Sequence, residues 1–297
     1  MGYINIYVSK DAKISVKNNQ LTLEHITNKS EFPLEDVNCV MIENLQSNIS
    51  AYTLNALAEY KILTFICDKN HTPSAILLPF CSHYQTLQVY NFQTALKKPI
   101  KKQLWKTIVV NKICNQNEVL NICGENEPLK QFYEGVQSGD TTNEEAKASL
   151  IYFKLLFGKE FTRRSNNFIN AALDYGYSII RSFIARSIVV HGLTPFLGLF
   201  HCNSYNAFNL ADDLIEPFRP MVDLFVKTML NEESELTSKL KSELLNLVNY
   251  DIMIDGVKQT LSNAIDAYVE SFVKSIKESN NCLKEIKICG LKIHSYE

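Results

Sequence analysis

The segment HCNSYNAFNLADDLIEPFRP, residues 201–220, places a histidine ahead of a short run that contains three acidic residues. If that run is helical, Asp212 and Glu216 stand at i,i+4 and Asp213 and Glu216 at i,i+3, so Glu216 shares a face with either aspartate. Carboxylates at this spacing repel by about 0.2–0.5 kcal/mol per exposed pair, and by more in a desolvated cleft unless a cation lies between them. The spacing alone favours a solvated acidic face over a metal site.

A second pair of acids begins a long apolar segment, TTNEEAKASLIYFKLLFG. Thr142 and Glu145 match the capping box. In that motif the threonine hydroxyl accepts a hydrogen bond from the N3 amide, and the glutamate carboxylate accepts one from the amide of the cap residue. Glu145 therefore has a structural role available. At helical spacing, however, Glu144 and Glu145 both precede largely apolar positions, and buried carboxylates are seldom left unpaired. The spacing does not choose between these two roles.

His201 follows GLTPFLGLF, whose glycines and proline predict an extended approach to the next helix. A lone histidine is more often a hydrogen-bonded structural residue than a metal ligand. Together with carboxylates from other helices, it could complete a site suited to Mn²⁺ and, with water ligands, to Mg²⁺. Sites of this kind act on phosphodiesters, where the metal serves as a Lewis acid.

Composition and missing motifs exclude several other classes. The chain has 297 residues, 46% hydrophobic and 21% charged, with a formal net charge of −2, as expected for a globular protein. It contains no GxxxxGK[ST], GxGxxG, GxSxG or CxxC pattern, which argues against a P-loop, a dinucleotide fold, an α/β-hydrolase elbow and a zinc ribbon. The N-terminus lacks a signal-peptide pattern and the apolar runs are interrupted by arginine, so we expect a cytoplasmic protein without membrane association.

Positive charge is clustered in one place, the stretch of residues 97–106. Lys98, Lys102 and Lys106 share a face if this stretch is helical. A solvated lysine face is the commoner outcome, and contact with phosphates is the alternative.

The hydrophobic pattern changes its period near residue 80. Before that point, short β-branched runs such as INIYVS, KISVKNN and DVNCVMIEN predict strands, with one helix near residues 48–60. Beyond it, long segments such as QLWKTIVVNKICNQ and INAALDYGYSIIRSFIARSIVV predict helices, and YDIMIDG predicts a small hairpin. We therefore predict an α+β fold of two domains, an N-terminal antiparallel β-sandwich-like domain (residues 1–80) and a larger all-α domain (residues 81–297).

Three blocks, NEEAKASLIYFKLLFGKEFTR, NAALDYGYSIIRSFIARSIVVHGLTPFLGLFH and NAFNLADDLIEPFRPMVD, together resemble the CRISPR-associated adaptation integrases, the Cas1 family, in the form found in type II systems. The resemblance implies that Glu145, His201 and Glu216 are the catalytic residues and hold Mg²⁺ or Mn²⁺, with Asp213 as a possible supporting acid. It also implies a reaction in which the 3′-hydroxyl of a short spacer DNA attacks a phosphodiester of the CRISPR array, a transesterification that needs no P-loop.

The same resemblance implies partners. They are double-stranded spacer and repeat DNA, a second copy of the chain bound through the β-domain, and a dimer of the small ferredoxin-like Cas2 protein in a hetero-hexamer. Candidate DNA contacts are Lys98, Lys102, Lys106, Arg163 and Arg164, whereas Arg181 and Arg186 lie in a nearly apolar helix and could equally be internal partners of acids. The alternatives are a non-catalytic DNA-binding scaffold, in which the acids are cap and surface residues, and a general metal phosphohydrolase.

Overall fold

The N-terminal part of the protein consists of two four-stranded sheets, in a computed structural model that describes residues 2–80, 83–230 and 234–295. The strands are β1 (Ile4–Val8), β2 (Lys13–Lys17), β3 (Gln20–Glu24), β4 (Lys29–Pro33), β5 (Val37–Ile42), β6 (Asn48–Ile49), β7 (Leu63–Cys67) and β8 (Pro73–Leu77). One sheet has the order β1-β5-β7-β8 and the other the order β4-β3-β2-β6. The predicted strands of this region are therefore confirmed.

Both sheets are mixed, so the prediction of an antiparallel domain is wrong. β5 pairs in parallel with β1 and β7, and β2 pairs in parallel with β6. The predicted helix, α1 (Ala51–Glu59), is present between β5 and β7. It carries the chain back to the end of the sheet at which β5 begins, so β7 runs parallel to β5. In the structure VNCVMI is buried along its whole length, as is typical of an interior parallel strand.

The sheet that contains β5 lies between two apolar cores. Side chains alternate along a strand, so Cys39 and Met41 join the core formed with the helices, whereas Val40 and Ile42 join the core shared with the other sheet. Phe65 of β7 packs on a phenylalanine of a long helix, with ring centroids 6.2 Å apart. The helices are thus packed directly onto this sheet.

Helices dominate the rest of the chain. They are α2 (Thr86–Ala95), α3 (Lys98–Ile122), α4 (Lys130–Gly135), α5 (Glu144–Phe157), α6 (Phe168–Val190), α7 (Asn209–Leu214), α8 (Arg219–Met229), α9 (Ser238–Asn246) and α10 (Leu261–Glu278). Short 3₁₀ turns occur at Leu34–Asp36, Glu216–Phe218 and Leu247–Asn249. Along the described ranges, no helix combines the length and apolar composition needed to cross a membrane.

The C-terminal region is not purely helical, so the all-α prediction is wrong in this detail. β9 (Asp251–Ile254), β10 (Val257–Thr260) and β11 (Ile286–Lys287) form a small antiparallel sheet in the order β10-β9-β11. The predicted hairpin is confirmed: Asp255 and Gly256 have φ of 47° and 78°, as a two-residue turn between twisted strands requires. β11 was missed because a two-residue strand carries no periodic signal.

The change from strands to helices falls between the end of β8 at Leu77 and the start of α2 at Thr86. The predicted domain boundary after residue 80 adjoins residues 81 and 82, which lie outside the described residues. The division into two domains stays a prediction.

Candidate functional site

Glu145 lies in the first turn of α5, and a different acid caps that helix. The Asp140 carboxylate accepts hydrogen bonds from the amides of Glu144 and Glu145, at 2.8 and 3.2 Å. The cap residue is Asn143 in the left-handed conformation, without a side-chain cap bond. The capping box of Thr142 and Glu145, one of the two roles that the sequence left open for Glu145, is not the cap of this helix, because Asp140 already satisfies these amides. The carboxylate of Glu145 is left available for another partner.

That partner is Lys112, in the middle of α3. Its Nζ lies 2.6 Å from Glu145 Oε1 and 2.6 Å from Glu216 Oε2. The side chains are largely buried, with 11% of Lys112, 22% of Glu145 and 5% of Glu216 exposed. Burial would lower the pKa of Lys112, but the charges of Glu216 and Glu145 outweigh it and the pKa lies above its ordinary value. Two acids separated by 71 positions in the sequence thus converge on one cation.

Glu216 begins the 3₁₀ turn Glu216–Phe218 and is held by α3 and α8. Asn115 of α3 donates a hydrogen bond to the Pro217 carbonyl at 2.8 Å, which fixes the turn. Arg219 Nε lies 3.2 Å from Glu216 Oε1. Burial alone would raise the pKa of Glu216, but the charges of Lys112 and Arg219 outweigh it and hold the pKa below its ordinary value. Glu216 is therefore a buried carboxylate in its charged form.

His201 lies in the loop between α6 and α7, and Asp213 builds that loop. The buried Asp213 carboxylate accepts hydrogen bonds from the amides of Leu199, Phe200 and His201, at 2.6, 3.2 and 3.1 Å. Its Oδ1 is also 2.7 Å from His201 Nδ1, and this hydrogen bond raises the pKa of His201 above its ordinary value. Because Nδ1 is engaged, Nε2 is the nitrogen that could bind a metal.

Gly198 allows this close packing. A Cβ at this position would lie 2.3 Å from the His201 carbonyl oxygen and 2.7 Å from Asp213 Oδ2, distances that atoms do not tolerate. An aromatic contact fixes the other side of the loop, since Phe200 stacks on Trp105 of α3 with ring centroids 4.4 Å apart. Trp105 also meets the His201 ring edge-on, at 6.0 Å. The same helix that carries Lys112 thus positions the histidine.

The structure brings Glu145 and Glu216 together through Lys112, and it brings His201 together with Asp213. His201 and Glu216 are near enough for each charge to shift the pKa of the other. Over residues 2–80, 83–230 and 234–295, however, no three His, Cys, Asp or Glu side chains are grouped so that they could hold a metal as they stand. The Lys112 ammonium occupies the space between the two carboxylates.

The donor set nevertheless fits a divalent cation. The Glu145 and Glu216 carboxylates already share the Lys112 ammonium, and the His201 imidazole is close enough to Glu216 for their charges to interact. Carboxylate oxygens and an imidazole nitrogen are ligands that Mn²⁺ and Mg²⁺ accept. Glu216 Oε2 is buried and lies 2.6 Å from the Lys112 ammonium, so this oxygen already faces a cation.

A buried aspartate ties together the helices that surround this site. Asp223 of α8 accepts hydrogen bonds from the hydroxyl of Tyr152, on α5, at 2.9 Å, and from the hydroxyl of Tyr177, on α6. Tyr152 lies two turns beyond Glu145 on the same face of α5. Burial raises the pKa of Asp223 to about 6, and the two tyrosine hydrogen bonds offset part of that shift. Asp223 therefore fixes the direction in which α5 leaves the site.

Asp223 gives the protein an expected pH dependence. Between its ordinary pKa of 3.8 and its folded pKa of about 6, the unfolded chain releases this proton while the folded protein retains it. The free energy of unfolding is therefore expected to fall by up to about 3 kcal/mol as the pH rises through this window. Asp223→Asn should remove that fall, which urea unfolding of both proteins at about pH 4 and pH 7 would measure. Parallel pH profiles for the two proteins would contradict the assignment.

The predicted lysine face exists. Lys98, Lys102 and Lys106 are exposed at four-residue intervals on the first half of α3, flanking the buried Trp105. Trp105, on this half of the helix, contacts the His201 ring, whereas the Lys102 side chain lies beside Gly139.

The candidate arginines have different surroundings. Arg164 is exposed in the loop between α5 and α6, whereas Arg163 Nη2 lies 2.5 Å from Asp174 Oδ1 and its guanidinium lies over the Tyr177 ring. Arg181, for which DNA contact and pairing with an acid were both left open, pairs with an acid: its Nε lies 2.5 Å from Asp212 Oδ1, and its side chain is 35% exposed. Arg186 is internal, being buried and within 4.0 Å of an aspartate of α10.

Sequence reasoning missed Lys112 and Arg219. A signal existed for each: Lys112 lies among Ile108, Val109 and Ile113, so a lysine is placed on an apolar helix face, where it needs an acid. Arg219 follows Glu216 by three residues.

Comparison with known proteins identifies the family. A family model described as "CRISPR associated protein Cas1" matches residues 6–244. The CRISPR-associated endonuclease Cas1 of Neisseria meningitidis serogroup C (strain 8013) is 37% identical over 304 aligned residues, covering 100% of this chain and 100% of that protein. Among solved structures, a casposase bound to its integration product superposes with a TM-score of 0.74 at 19% identity, covering 95% of this chain and 92% of that chain. A Cas6-RT-Cas1–Cas2 complex matches with a TM-score of 0.70 at 17% identity, covering 94% of this chain and 35% of that chain.

The two likenesses to solved structures concern the fold alone, whereas the full-length relative and the family model establish descent. The chain belongs to the Cas1 family of CRISPR-associated proteins, as the three sequence blocks predicted.

Proposed function

We propose that this protein is the DNA integrase and endonuclease of a CRISPR adaptation system of type II character, and that it depends on Mg²⁺ or Mn²⁺. The observation that carries the proposal is that Glu145 and Glu216 converge on the Lys112 ammonium, each with one carboxylate oxygen 2.6 Å from its Nζ. The loop that carries His201 lies beside them. Membership of the Cas1 family supports the reaction class, since the relative from Neisseria meningitidis is named an endonuclease.

Glu145, Glu216 and Nε2 of His201 are the groups that would hold the metal. When bound there, a divalent cation supplies Lewis-acid activation of a phosphodiester and stabilises the charge that develops on its oxygens. The protein's own contribution is orientation. Asp213 fixes the proton of His201 on Nδ1 and leaves the Nε2 lone pair available, and Asn115 holds the turn that carries Glu216.

The proposed reaction exchanges one phosphodiester for another. The 3′-hydroxyl oxygen of the spacer forms a bond to phosphorus, the bond from phosphorus to the array's own 3′ oxygen breaks, and the proton of the attacking hydroxyl ends on the oxygen that leaves. The number of phosphodiesters is unchanged, so no nucleoside triphosphate is needed.

The exposed lysines of α3 are proposed to contact DNA phosphates. Replacing Lys98, Lys102 and Lys106 by alanine is expected to weaken duplex binding and to lower the slope of log affinity against log salt by about 0.9 for each phosphate that the variant no longer neutralises. Fluorescence anisotropy over a salt series would measure it. Alanine at the exposed Lys274 and Lys277 of α10 is the control and should leave the slope unchanged. An unchanged slope in the α3 variant would assign its lysines to a solvated face.

The proposed partners follow the family. They are spacer and repeat DNA, a second copy of the chain bound through the N-terminal sheets, and a dimer of Cas2 in a hetero-hexamer. A solved complex whose title names Cas1 and Cas2 contains a chain with this fold, which supports the Cas2 partner. We propose a cytoplasmic location, where the array DNA lies.

The test is a strand-transfer assay with a short duplex that has free 3′-hydroxyls and a supercoiled plasmid bearing a repeat, in the presence of Cas2. Joined product that needs Mg²⁺ or Mn²⁺ is expected. Tight DNA binding without joined or cut DNA at any metal concentration would instead identify a non-catalytic scaffold. Hydrolysis of small phosphoesters without DNA preference would identify a general phosphohydrolase.

A further inference from the structure

We infer that Lys112 is a built-in cation that holds Glu145 and Glu216 together when no metal is bound, and that a divalent ion must displace its ammonium in order to bind both carboxylates. Lys112 would then be a positioning residue that sets the metal affinity of the site. The inference rests on the proposed function, because it takes these two acids as metal ligands.

The geometry supports a single shared position. The Nζ atom contacts Glu145 Oε1 and Glu216 Oε2 at the same distance, 2.6 Å, which is short for an ammonium–carboxylate contact. The Lys112 side chain is 11% exposed and lies in the middle of α3 among buried residues of that helix, so its ammonium has little access to water. Buried ammonium groups of this kind are retained where opposite charges compensate their desolvation.

The charge balance of the site leads to the same conclusion. Glu145 and Glu216 each contribute one negative charge, and Lys112 and Arg219 each contribute one positive charge, so the four groups sum to zero. A divalent ion that joined these four groups would bring their sum to +2, of which the buried Asp213 carboxylate beside His201 offsets one charge, and the remaining positive excess is unfavourable in a buried site. Withdrawal of one cation as the metal enters reduces that excess.

The two contacts of Lys112 show that one ammonium serves both acids. Lys112 donates a hydrogen bond to Glu145 Oε1, and its Nζ also lies 2.6 Å from Glu216 Oε2. A metal that binds both carboxylates must therefore take the place of this ammonium.

The test is direct Mn²⁺ binding to the full chain, measured by calorimetry and by the electron paramagnetic resonance signal of free Mn²⁺. Lys112→Met keeps the apolar stem and removes the charge, and it is expected to bind Mn²⁺ at least about 10-fold more tightly than wild type. Without metal, its unfolding temperature should fall below that of wild type, and Mn²⁺ should raise it by more than it raises the wild-type value. Equal or weaker Mn²⁺ binding by Lys112→Met would overturn the inference.

Two controls separate the inference from the function on which it rests. Lys106→Met removes an exposed lysine from the same helix and should change neither Mn²⁺ affinity nor unfolding temperature. Glu145→Gln should weaken Mn²⁺ binding in both the wild-type and the Lys112→Met background. If wild type binds Mn²⁺ through Glu145 and Lys112→Met binds it no better, the inference fails alone. If neither binds Mn²⁺, the proposed metal site fails with it.

A crystal structure of the wild-type protein soaked in Mn²⁺ tests the same point even if Lys112→Met does not fold. The expected result is one ion bound to Glu145 and Glu216, with Lys112 Nζ beyond ion-pair distance of at least one of them. An ion bound to both acids while Nζ keeps both of its contacts would overturn the displacement.

Discussion

Glu145→Gln is expected to lower the rate of strand transfer by about 10³-fold or more, equivalent to about 4 kcal/mol of transition-state stabilisation. Glutamine keeps the shape of the side chain and one acceptor oxygen for Lys112, but it removes the negative charge needed to hold a divalent ion. Asp140 caps the helix independently, so α5 should still form, although loss of the charge beside the buried Lys112 ammonium should lower the free energy of unfolding. The measurement is the initial rate of spacer joining at saturating Mn²⁺, with DNA affinity measured alongside.

Glu144→Gln is the matched control for this experiment. Glu144 precedes Glu145 in the same turn of α5, but its carboxylate, which is 14% exposed, pairs with Lys147 at 2.8 Å rather than with Lys112. Its replacement should leave strand transfer within about 2-fold of wild type, because the partner that it loses is the exposed Lys147 and not Lys112. A Glu145→Gln variant that joined DNA at more than about a tenth of the wild-type rate would contradict the assignment of Glu145 as a ligand.

Asp213→Asn is expected to have the second large effect, and to act on stability and on metal binding together. The Asp213 carboxylate accepts hydrogen bonds with both oxygens, so an amide in its place leaves donors facing its NH₂ group. A buried donor without an acceptor costs about 1–3 kcal/mol, so the free energy of unfolding should fall by about 2–4 kcal/mol. Mn²⁺ affinity should fall by about 10- to 100-fold because the His201 ring no longer has the partner that orients it.

Asp212→Asn, at the neighbouring position, is the control for Asp213. The Asp212 carboxylate pairs with Arg181, which is partly exposed, and accepts a hydrogen bond from Asn206. This change should cost less stability and leave Mn²⁺ affinity near the wild-type value, since Asp212 does not contact His201. Urea unfolding and calorimetric titration measure both quantities. An Asp213→Asn protein within about 1 kcal/mol of wild type, with unchanged Mn²⁺ affinity, would remove Asp213 from the positioning role.

The capping of α5 illustrates how a local motif can mislead. Thr142 and Glu145 have the spacing of a capping box, but the amides that such a box would satisfy are bound by Asp140, which lies in a loop with a left-handed backbone conformation. Asp140 is also visible in the sequence, but only the path of the loop decides which side chain accepts hydrogen bonds from the first amides of α5. Loop geometry of this kind has no periodic signal.

The mixed sheets illustrate a second property that the sequence did not predict, the direction of the strands. Strand positions could be predicted because β-branched and apolar residues cluster in short runs, and helix α1 could be predicted from its spacing. Strand direction is a property of the connections, and the same VNCVMI sequence could occupy an antiparallel neighbour. The structure shows that this strand is completely buried, is followed by a helix and is parallel to β7.

The sequence by itself determined the elements, the family and the identities of the candidate acids, because these depend on local composition and on motifs that are contiguous in the chain. Only the tertiary structure decided that Glu145 and Glu216 meet at Lys112, and that Asp213 serves the His201 loop. The physical reason is that a charge pairing depends on which helix faces pack together. Spacing in the segment at residues 201–220 indicated a solvated acidic face, whereas packing placed Glu216 and Asp213 in the interior, where each must have a partner.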